Sequence, residues 1–143
     1  MGQETKNKSR LFGNCGAADG KIRCHKENNM NPGDKTIIYY TCNAHLPEID
    51  ELARKYLSNI GLPIVSVSLN KQIDFGDKRM VIAGTRGPLM MHRQIAMGLK
   101  SCTTKYAFLV ESDVLYHLSH FEFTPTKDDT FYFNVNVWKQ RWP

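Results

Sequence analysis

The sequence of 143 residues has no apolar run that approaches the roughly 18 residues needed to cross a lipid bilayer. Its start, MGQETKNKSR, also lacks the apolar core of a secretory signal. We therefore expect a soluble protein that stays in the cytoplasm. Without a secretory route, the four cysteines are expected to be free thiols rather than disulfides.

Two common site motifs are also missing. The loop GTRGP offers backbone N–H groups and Arg86 to an anion, but it lacks the Gly-Lys-Ser/Thr ending of a P-loop. The thiols and imidazoles of the first 45 residues contain no C-x2-C pair, so the spacing does not predict a structural zinc site. These residues are Cys15, Cys24, His25, Cys42 and His45.

The charge is uneven along the chain. The formal net charge of +5 favours an anionic partner. Much of the excess lies in residues 1–35, a polar lead-in with little hydrophobic periodicity, so the rest is only weakly basic and nucleic acid is disfavoured as a partner. With 41% hydrophobic residues, the chain is expected to form one globular domain over residues 36–143.

Hydrophobic periodicity changes along that domain. Short β-branched or apolar runs predict strands, and segments with an apolar residue every three or four positions predict helices. The predicted strands are KTIIYYT, PIVSVSL, MVIAG, KYAFLVE and TFYFNVNVW, and the predicted helices lie in LPEIDELARKYLSNIGLP and LMMHRQIAMGLKS. Their alternation predicts a mainly parallel sheet flanked by helices, the Rossmann-like α/β class.

Each helix has a predicted inward face. In the first helix it is the stripe Ile49, Leu52, Ala53, Tyr56, Leu57 and Ile60. In the second it is Met91, Ile95, Gly98 and Leu99, which points Arg93 away from the core.

Ligands of parallel sheets collect at the carboxyl ends of the strands. The candidate site therefore comprises residues 41–45, 68–71, 84–87 and 111–113. Glu111 and Asp113 end a buried strand, and paired carboxylates suit Mg²⁺ or Mn²⁺, although a turn-capping Asp113 beside a solvated Glu111 fits the spacing equally well. His117 and His120 are either further metal or proton-transfer groups or, more simply, packing residues.

Four stretches together resemble family 2-like glycosyltransferases of the GT-A fold, over nearly all of Thr36 to Trp138. They are TIIYYTCN, PIVSVSLNKQIDFG, MHRQIAMGLKSCTTKYAFLVESDVLYHLSHFEFTP and DDTFYFNVNVW. The most specific part is TTKYAFLVESDVLYH, which looks like the strand leading into the acidic DxD-type metal motif of those enzymes. The resemblance implies a glycosyltransferase that moves a sugar from a nucleotide-diphosphate donor to a hydroxyl acceptor.

The resemblance also implies roles for individual residues. Asp113 matches the metal-binding and catalytic aspartate, and Glu111 matches the first acid, near the metal or the donor's ribose. The metal would be Mn²⁺ or Mg²⁺. The implied donor-binding residues are Thr41, Asn43 and Ser68 after the first two strands, Arg93 and Gln94 on the second helix, and Glu111.

Two departures from the family pattern carry expectations of their own. The motif reads Glu-Ser-Asp rather than Asp-x-Asp, and the chain stops at VWKQRWP, before the acceptor-binding half of GT-A enzymes. We expect a donor-binding half truncated at its C-terminus or a minimal enzyme. The alternative function is a non-catalytic fragment that binds nucleotide sugars. Trp138 and Trp142 near an open sheet edge would favour a homo-oligomer.

Overall fold

A computed structural model describes residues 32–135. In this part of the chain a 3-10 turn at Pro32–Asp34 precedes alternating strands and helices. In chain order they are β1 (Lys35–Thr41), α1 (Pro47–Ser58), β2 (Ile64–Leu69), β3 (Lys78–Ile82), α2 (Pro88–Ser101), β4 (Tyr106–Glu111) and α3 (Leu118–Glu122). The predicted α/β class is confirmed.

The strands form one parallel sheet in the order β3-β2-β1-β4. β1 is hydrogen-bonded on both sides, and its Ile37, Ile38 and Tyr39 are fully buried. β2 and β3 extend the sheet on one side of β1, whereas β4 lies on the other. The strand order therefore reverses at β1, and such a switch point is where parallel sheets form their ligand crevices.

Side chains of β1 alternate between the two faces of the sheet. Ile37 and Tyr39 pack with Leu57 of α1 in the main core. Ile38 lies on the opposite face, against Gly98 of α2. The sheet is thus covered by α1 on one face and by α2 on the other.

Helix α1 has the predicted position, and most of its predicted stripe faces the core. Ala53 and Leu57 are buried and Tyr56 and Ile60 pack against the core, whereas Leu52 is 56% exposed. Asp50 is buried as well, and its Oδ2 accepts a hydrogen bond from Arg54 Nη2 at 3.1 Å. Because this ion pair lets a carboxylate be buried, apolar periodicity alone missed this position.

Helix α2 is rotated relative to its predicted face. Gly98 of the predicted face is buried, but the other buried residues are Met90 and Gln94, and Leu99 is 41% exposed. The buried residues are four apart and form one row. Gly98 brings this row close to the sheet, because a Cβ added there would clash with Ile38 Cγ2.

The predicted C-terminal strand is wrong over residues 130–135, which have no regular secondary structure. In the part of the chain that the structure describes, β4 pairs with β1 alone. Phe131, Phe133 and Val135 alternate like strand residues but are 78%, 85% and 89% exposed. Alternation alone does not make a strand, and among residues 32–135 this segment is not paired with any strand of the sheet. Residues 136–138 lie outside the described range.

The first described strand is anchored through its first residue. Lys35 is 3% exposed, and its Nζ donates to the carbonyl oxygens of Phe121 at 3.1 Å and Glu122 at 3.2 Å. A cation at these carbonyls also complements the negative end of α3. Lys35, at the predicted end of the lead-in, therefore belongs to the packed sheet, while residues 1–31 lie outside the described range.

We predict that Gly98→Ala lowers the free energy of unfolding by about 1–2 kcal/mol. The added methyl group overpacks the contact of α2 with Ile38, and this cost exceeds the helix propensity that alanine gains. Urea unfolding measures the change. Gly33→Ala is the control, because a Cβ at Gly33 meets nothing within 4 Å, and equal stability of the two variants would contradict the prediction.

Candidate functional site

A cleft of about 320 Å³ opens at the carboxyl edge of the sheet, where the strand order reverses. Its walls come from the ends of β1, β2 and β4, from the loops that follow β1 and β4, and from the first turns of α2. The lining residues are Tyr40, Cys42, His45, Leu69, Arg86, Gly87, Pro88, Met90, Met91, Gln94, Glu111, Ser112 and Asp113. The cleft therefore contains three of the predicted site residues, Gln94, Glu111 and Asp113.

Glu111 is held in the cleft by the neighbouring strand. Tyr40 of β1 lies beside it in the parallel register, and the Tyr40 hydroxyl donates a hydrogen bond of 3.0 Å to Glu111 Oε1. Burial and then the Glu111 carboxylate raise the pKa of Tyr40 well above its ordinary value. Tyr40 thus stays protonated near neutral pH and orients one oxygen of Glu111.

Asp113 lies in the turn that follows β4. Its side chain is 47% exposed, and Oδ2 is 3.9 Å from Nε2 of His45 in the β1–α1 loop. The Val114 amide donates to the Glu111 carbonyl at 3.4 Å, and the Glu111 amide donates to the Tyr116 hydroxyl at 3.2 Å. The turn therefore keeps both carboxylates at one wall of the cleft, as the sequence predicts, while leaving Asp113 accessible.

Another part of the cleft carries positive charge. Arg86 and Gly87 line the cleft immediately before α2, which begins at Pro88. Pro88 has no N–H, and the amides of Met90 and Met91 donate to the Gly87 carbonyl oxygen at 3.0 and 3.1 Å, so this helix start offers an anion the positive end of its dipole more than free N–H groups. Two carboxylates, the Arg86 guanidinium and the positive end of α2 therefore share one cleft.

The predicted donor-binding residues Thr41 and Ser68 lie elsewhere. Both are buried, and the Ser68 hydroxyl donates to the Met80 carbonyl at 3.3 Å. Neither lines the cleft. The reason is strand alternation, since Tyr40 and Leu69, one position away, occupy the face that borders the cleft.

Asn43, a further predicted donor-binding residue, has a structural role. It adopts φ of 56°, and its Nδ2 donates to the carbonyl oxygens of Leu69 at 2.7 Å and Lys71 at 3.2 Å. Its amide donates to Thr41 Oγ1 at 3.0 Å. These bonds tie the loop after β1 to the loop after β2, and Asn43 does not line the cleft.

Gln94 and Arg93, predicted together, face different ways. Gln94 is 3% exposed, and its Nε2 donates to the carbonyl oxygens of Thr41 at 2.8 Å and Val67 at 3.0 Å. It joins α2 to the ends of β1 and β2 beneath the cleft. Arg93 is exposed and lies outside the cleft, so Arg86 is the arginine that the structure brings to the site.

The two histidines after Asp113 are packing and capping residues, the simpler of the two interpretations. His117 Nδ1 accepts a hydrogen bond from the Ser119 amide at 3.3 Å at the start of α3. The His120 ring packs against Phe108, Tyr116 and Phe121. Neither lines the cleft.

Within residues 32–135, no group of three or more histidine, cysteine, aspartate and glutamate side chains is already assembled to hold a metal ion. Of the residues named for the alternative zinc site, Cys15, Cys24 and His25 lie outside the described range. Over the same residues, no helix is long and apolar enough to span a membrane.

Tyr40 lies outside the predicted site segments, whereas Cys42 and His45 lie within segment 41–45 but had no predicted role in donor binding. Cys42 and His45 fall within the predicted loop after β1, but the loop's length does not reveal which side chains turn inward. Tyr40 could have been found, because it is the last residue of β1 on the face opposite the main core. The buried face of α2, which would have identified the side of the sheet that borders the cleft, was itself predicted only in part.

Comparisons with protein-family models, with curated proteins and with solved structures found no match. The resemblance to GT-A glycosyltransferases therefore remains a prediction.

We predict that Gln94→Ala lowers the free energy of unfolding by about 1–3 kcal/mol, because two buried carbonyl oxygens lose their donor. Thermal or urea unfolding measures the loss. The adjacent Arg93→Ala is the control and should stay within about 0.5 kcal/mol of the wild type, since Arg93 is exposed. A Gln94→Ala protein as stable as Arg93→Ala would mean that this clamp does not hold the strands.

We predict that His120 makes stability depend on pH. Burial lowers the pKa of His120 from its ordinary 6.5, and its buried Nε2 has no hydrogen-bond partner among residues 32–135. The unfolded chain then binds the proton more tightly, so the free energy of unfolding falls as the pH drops below 6.5. Urea unfolding from about pH 7.5 to 5 should show a shallower fall in His120→Phe than in the wild type.

The control for this pH series is His92→Gln, since His92 is exposed on α2. It should keep the wild-type slope. Identical slopes in the wild type and His120→Phe would refute the role of His120.

Proposed function

We propose that this protein binds a nucleotide-diphosphate sugar in the cleft and transfers the sugar to a hydroxyl acceptor, with Mn²⁺ or Mg²⁺ at Glu111 and Asp113. The observation that supports this best is the meeting of two carboxylates with Arg86 and the start of α2 at the strand-order reversal. A diphosphate with a divalent cation complements this charge distribution, because the cation meets the acids and the phosphate oxygens meet Arg86 and the positive end of the α2 dipole.

The carboxylates fit a hard divalent cation. Mg²⁺ is commonly bound by one or two carboxylates together with substrate phosphates, so a complete protein cage is not required. Asp113 is half-exposed, with its Oδ2 3.9 Å from His45 Nε2, while Glu111 has one oxygen held by Tyr40. When bound, the ion would supply charge neutralisation for the departing diphosphate.

The chain's own residues would bind and position the donor. The Arg86 guanidinium and the positive end of the α2 dipole would stabilise negative charge on the phosphates, an interaction that strengthens as the sugar departs. Gln94 would keep the floor of the cleft rigid through its bonds to β1 and β2. Met90 and Met91 would offer an adaptable apolar wall.

We predict that UDP or GDP binds in the presence of Mn²⁺ and that Asp113→Asn weakens this binding by roughly 10-fold or more, because one carboxylate ligand of the ion is lost. Calorimetric titration with Mn²⁺ and then with a chelator measures the effect. Asp129→Asn is a matched control, because it makes the same charge change at an exposed residue away from the cleft, with φ of 51° that asparagine tolerates.

Three outcomes separate the hypotheses. Metal-dependent binding together with release of the sugar to a hydroxyl acceptor supports the transferase. The same binding without sugar transfer favours the non-catalytic binding fragment. Absence of nucleotide binding with either nucleotide would refute the donor site itself.

A further inference from the structure

His45 faces two potential metal ligands with the same ring nitrogen. Its Nε2 is 3.6 Å from Cys42 Sγ and 3.9 Å from Asp113 Oδ2. Cys42 is a free, half-buried thiol, and all three residues line the cleft. The donor set is therefore one sulfur, one imidazole nitrogen and one carboxylate.

This geometry differs from that of a nucleophilic triad. In a triad the base contacts the nucleophile through one ring nitrogen and the carboxylate through the other. Here both the thiol and the carboxylate approach Nε2. A thiol and a carboxylate that both lie near the same ring nitrogen are instead compatible with a metal ion shared by the three groups.

The separations also suit tetrahedral zinc. With Zn–S near 2.3 Å and Zn–N near 2.0–2.1 Å, ligand atoms at the tetrahedral angle lie roughly 3.5 Å apart for sulfur and nitrogen, and roughly 3.4 Å apart for nitrogen and oxygen. The Cys42–His45 distance of 3.6 Å matches the first value closely. The His45–Asp113 distance of 3.9 Å is about half an ångström longer than the second.

The loop between β1 and α1 is held in a shape that brings the two soft ligands together. Asn43, between them in the sequence, turns the chain with φ of 56° and is bonded to the Leu69 and Lys71 carbonyls. Cys42 and His45 are three apart, in a C-x2-H spacing. The cation would therefore meet a pair that is already in place.

We propose that Cys42, His45 and Asp113 form a binding site for Zn²⁺ or a similarly thiophilic divalent cation. Cys42 and His45 are the prearranged pair, and Asp113 completes the set by a side-chain rotation, which its 47% exposure permits. Thiolate and imidazole select zinc over Mg²⁺ and Mn²⁺, which prefer oxygen ligands. The fourth coordination position of the ion would face the cleft and be open to water or to a ligand.

The zinc site does not depend on nucleotide binding, because Cys42 and His45 have no part in the proposed donor site. Asp113 is common to both, so Zn²⁺ and Mn²⁺ would compete for it. Zinc titration without nucleotide and UDP or GDP titration with Mn²⁺ therefore test the two proposals separately.

The experiment is titration of Zn²⁺ into the full chain, by calorimetry with a competing chelator. The wild type should bind one Zn²⁺ in a manner that Cys42→Ser and His45→Gln abolish and that Asp113→Asn weakens by roughly 10-fold or more. Co²⁺ provides a second readout, since a bound thiolate gives a charge-transfer absorption band that should disappear in Cys42→Ser. Circular dichroism verifies that each variant folds. If Cys42→Ser does not fold, His45→Gln tests the site in its place.

Two controls address the other thiols. Cys102→Ser removes a second half-buried thiol, whose sulfur contacts Thr104 rather than an imidazole, and should leave the Zn²⁺ affinity unchanged. The double variant Cys15→Ser, Cys24→Ser should also retain the site. Any of three results would overturn the proposal. They are Zn²⁺ binding that survives in both Cys42→Ser and His45→Gln, Zn²⁺ binding lost only in the double variant, and no stoichiometric Zn²⁺ binding by the wild type.

Discussion

The burial of β1 on both faces is the constraint on which the rest of the structure depends. This strand pairs with β2 and β4 at its edges, with α1 against one face and α2 against the other. Because its carboxyl end is held from every side, the loop that follows it has a defined position. Gln94 strengthens this arrangement by donating to a carbonyl at the end of β1 and to another in β2.

The chemistry of the cleft follows from that arrangement. β4 returns to the side of β1 opposite β2, which brings Glu111 beside Tyr40 and Asp113 near the loop that contains His45. The helix start at Arg86 and Gly87 faces the same space. One cleft thus combines two carboxylates, a thiol and imidazole pair, and Arg86 at the positive end of α2. Each of the two proposals uses a different subset of these groups.

Four of the predictions that failed share one physical cause. Thr41 and Ser68 stand at the ends of their strands, as a ligand-binding residue should, but strand alternation turns them toward the core while Tyr40 and Leu69 border the cleft. Leu52 and Leu99 belong to apolar stripes, yet they are exposed, and the polar residues Asp50 and Gln94 are buried on the same helices. In each case the position along the element was right and the direction of the side chain was not.

The sequence by itself determined the order and kind of the elements over residues 35–111, the parallel sheet and the presence of two acids at its carboxyl edge. Local hydrophobic periodicity and the chain direction are sufficient for these features. Only the tertiary structure decided which face borders the cleft, that His45 lies near both Cys42 and Asp113, and that residues 130–135 form no strand. Those features depend on contacts between residues far apart in the chain, where one close approach, one buried ion pair or one missing neighbouring strand outweighs the local pattern.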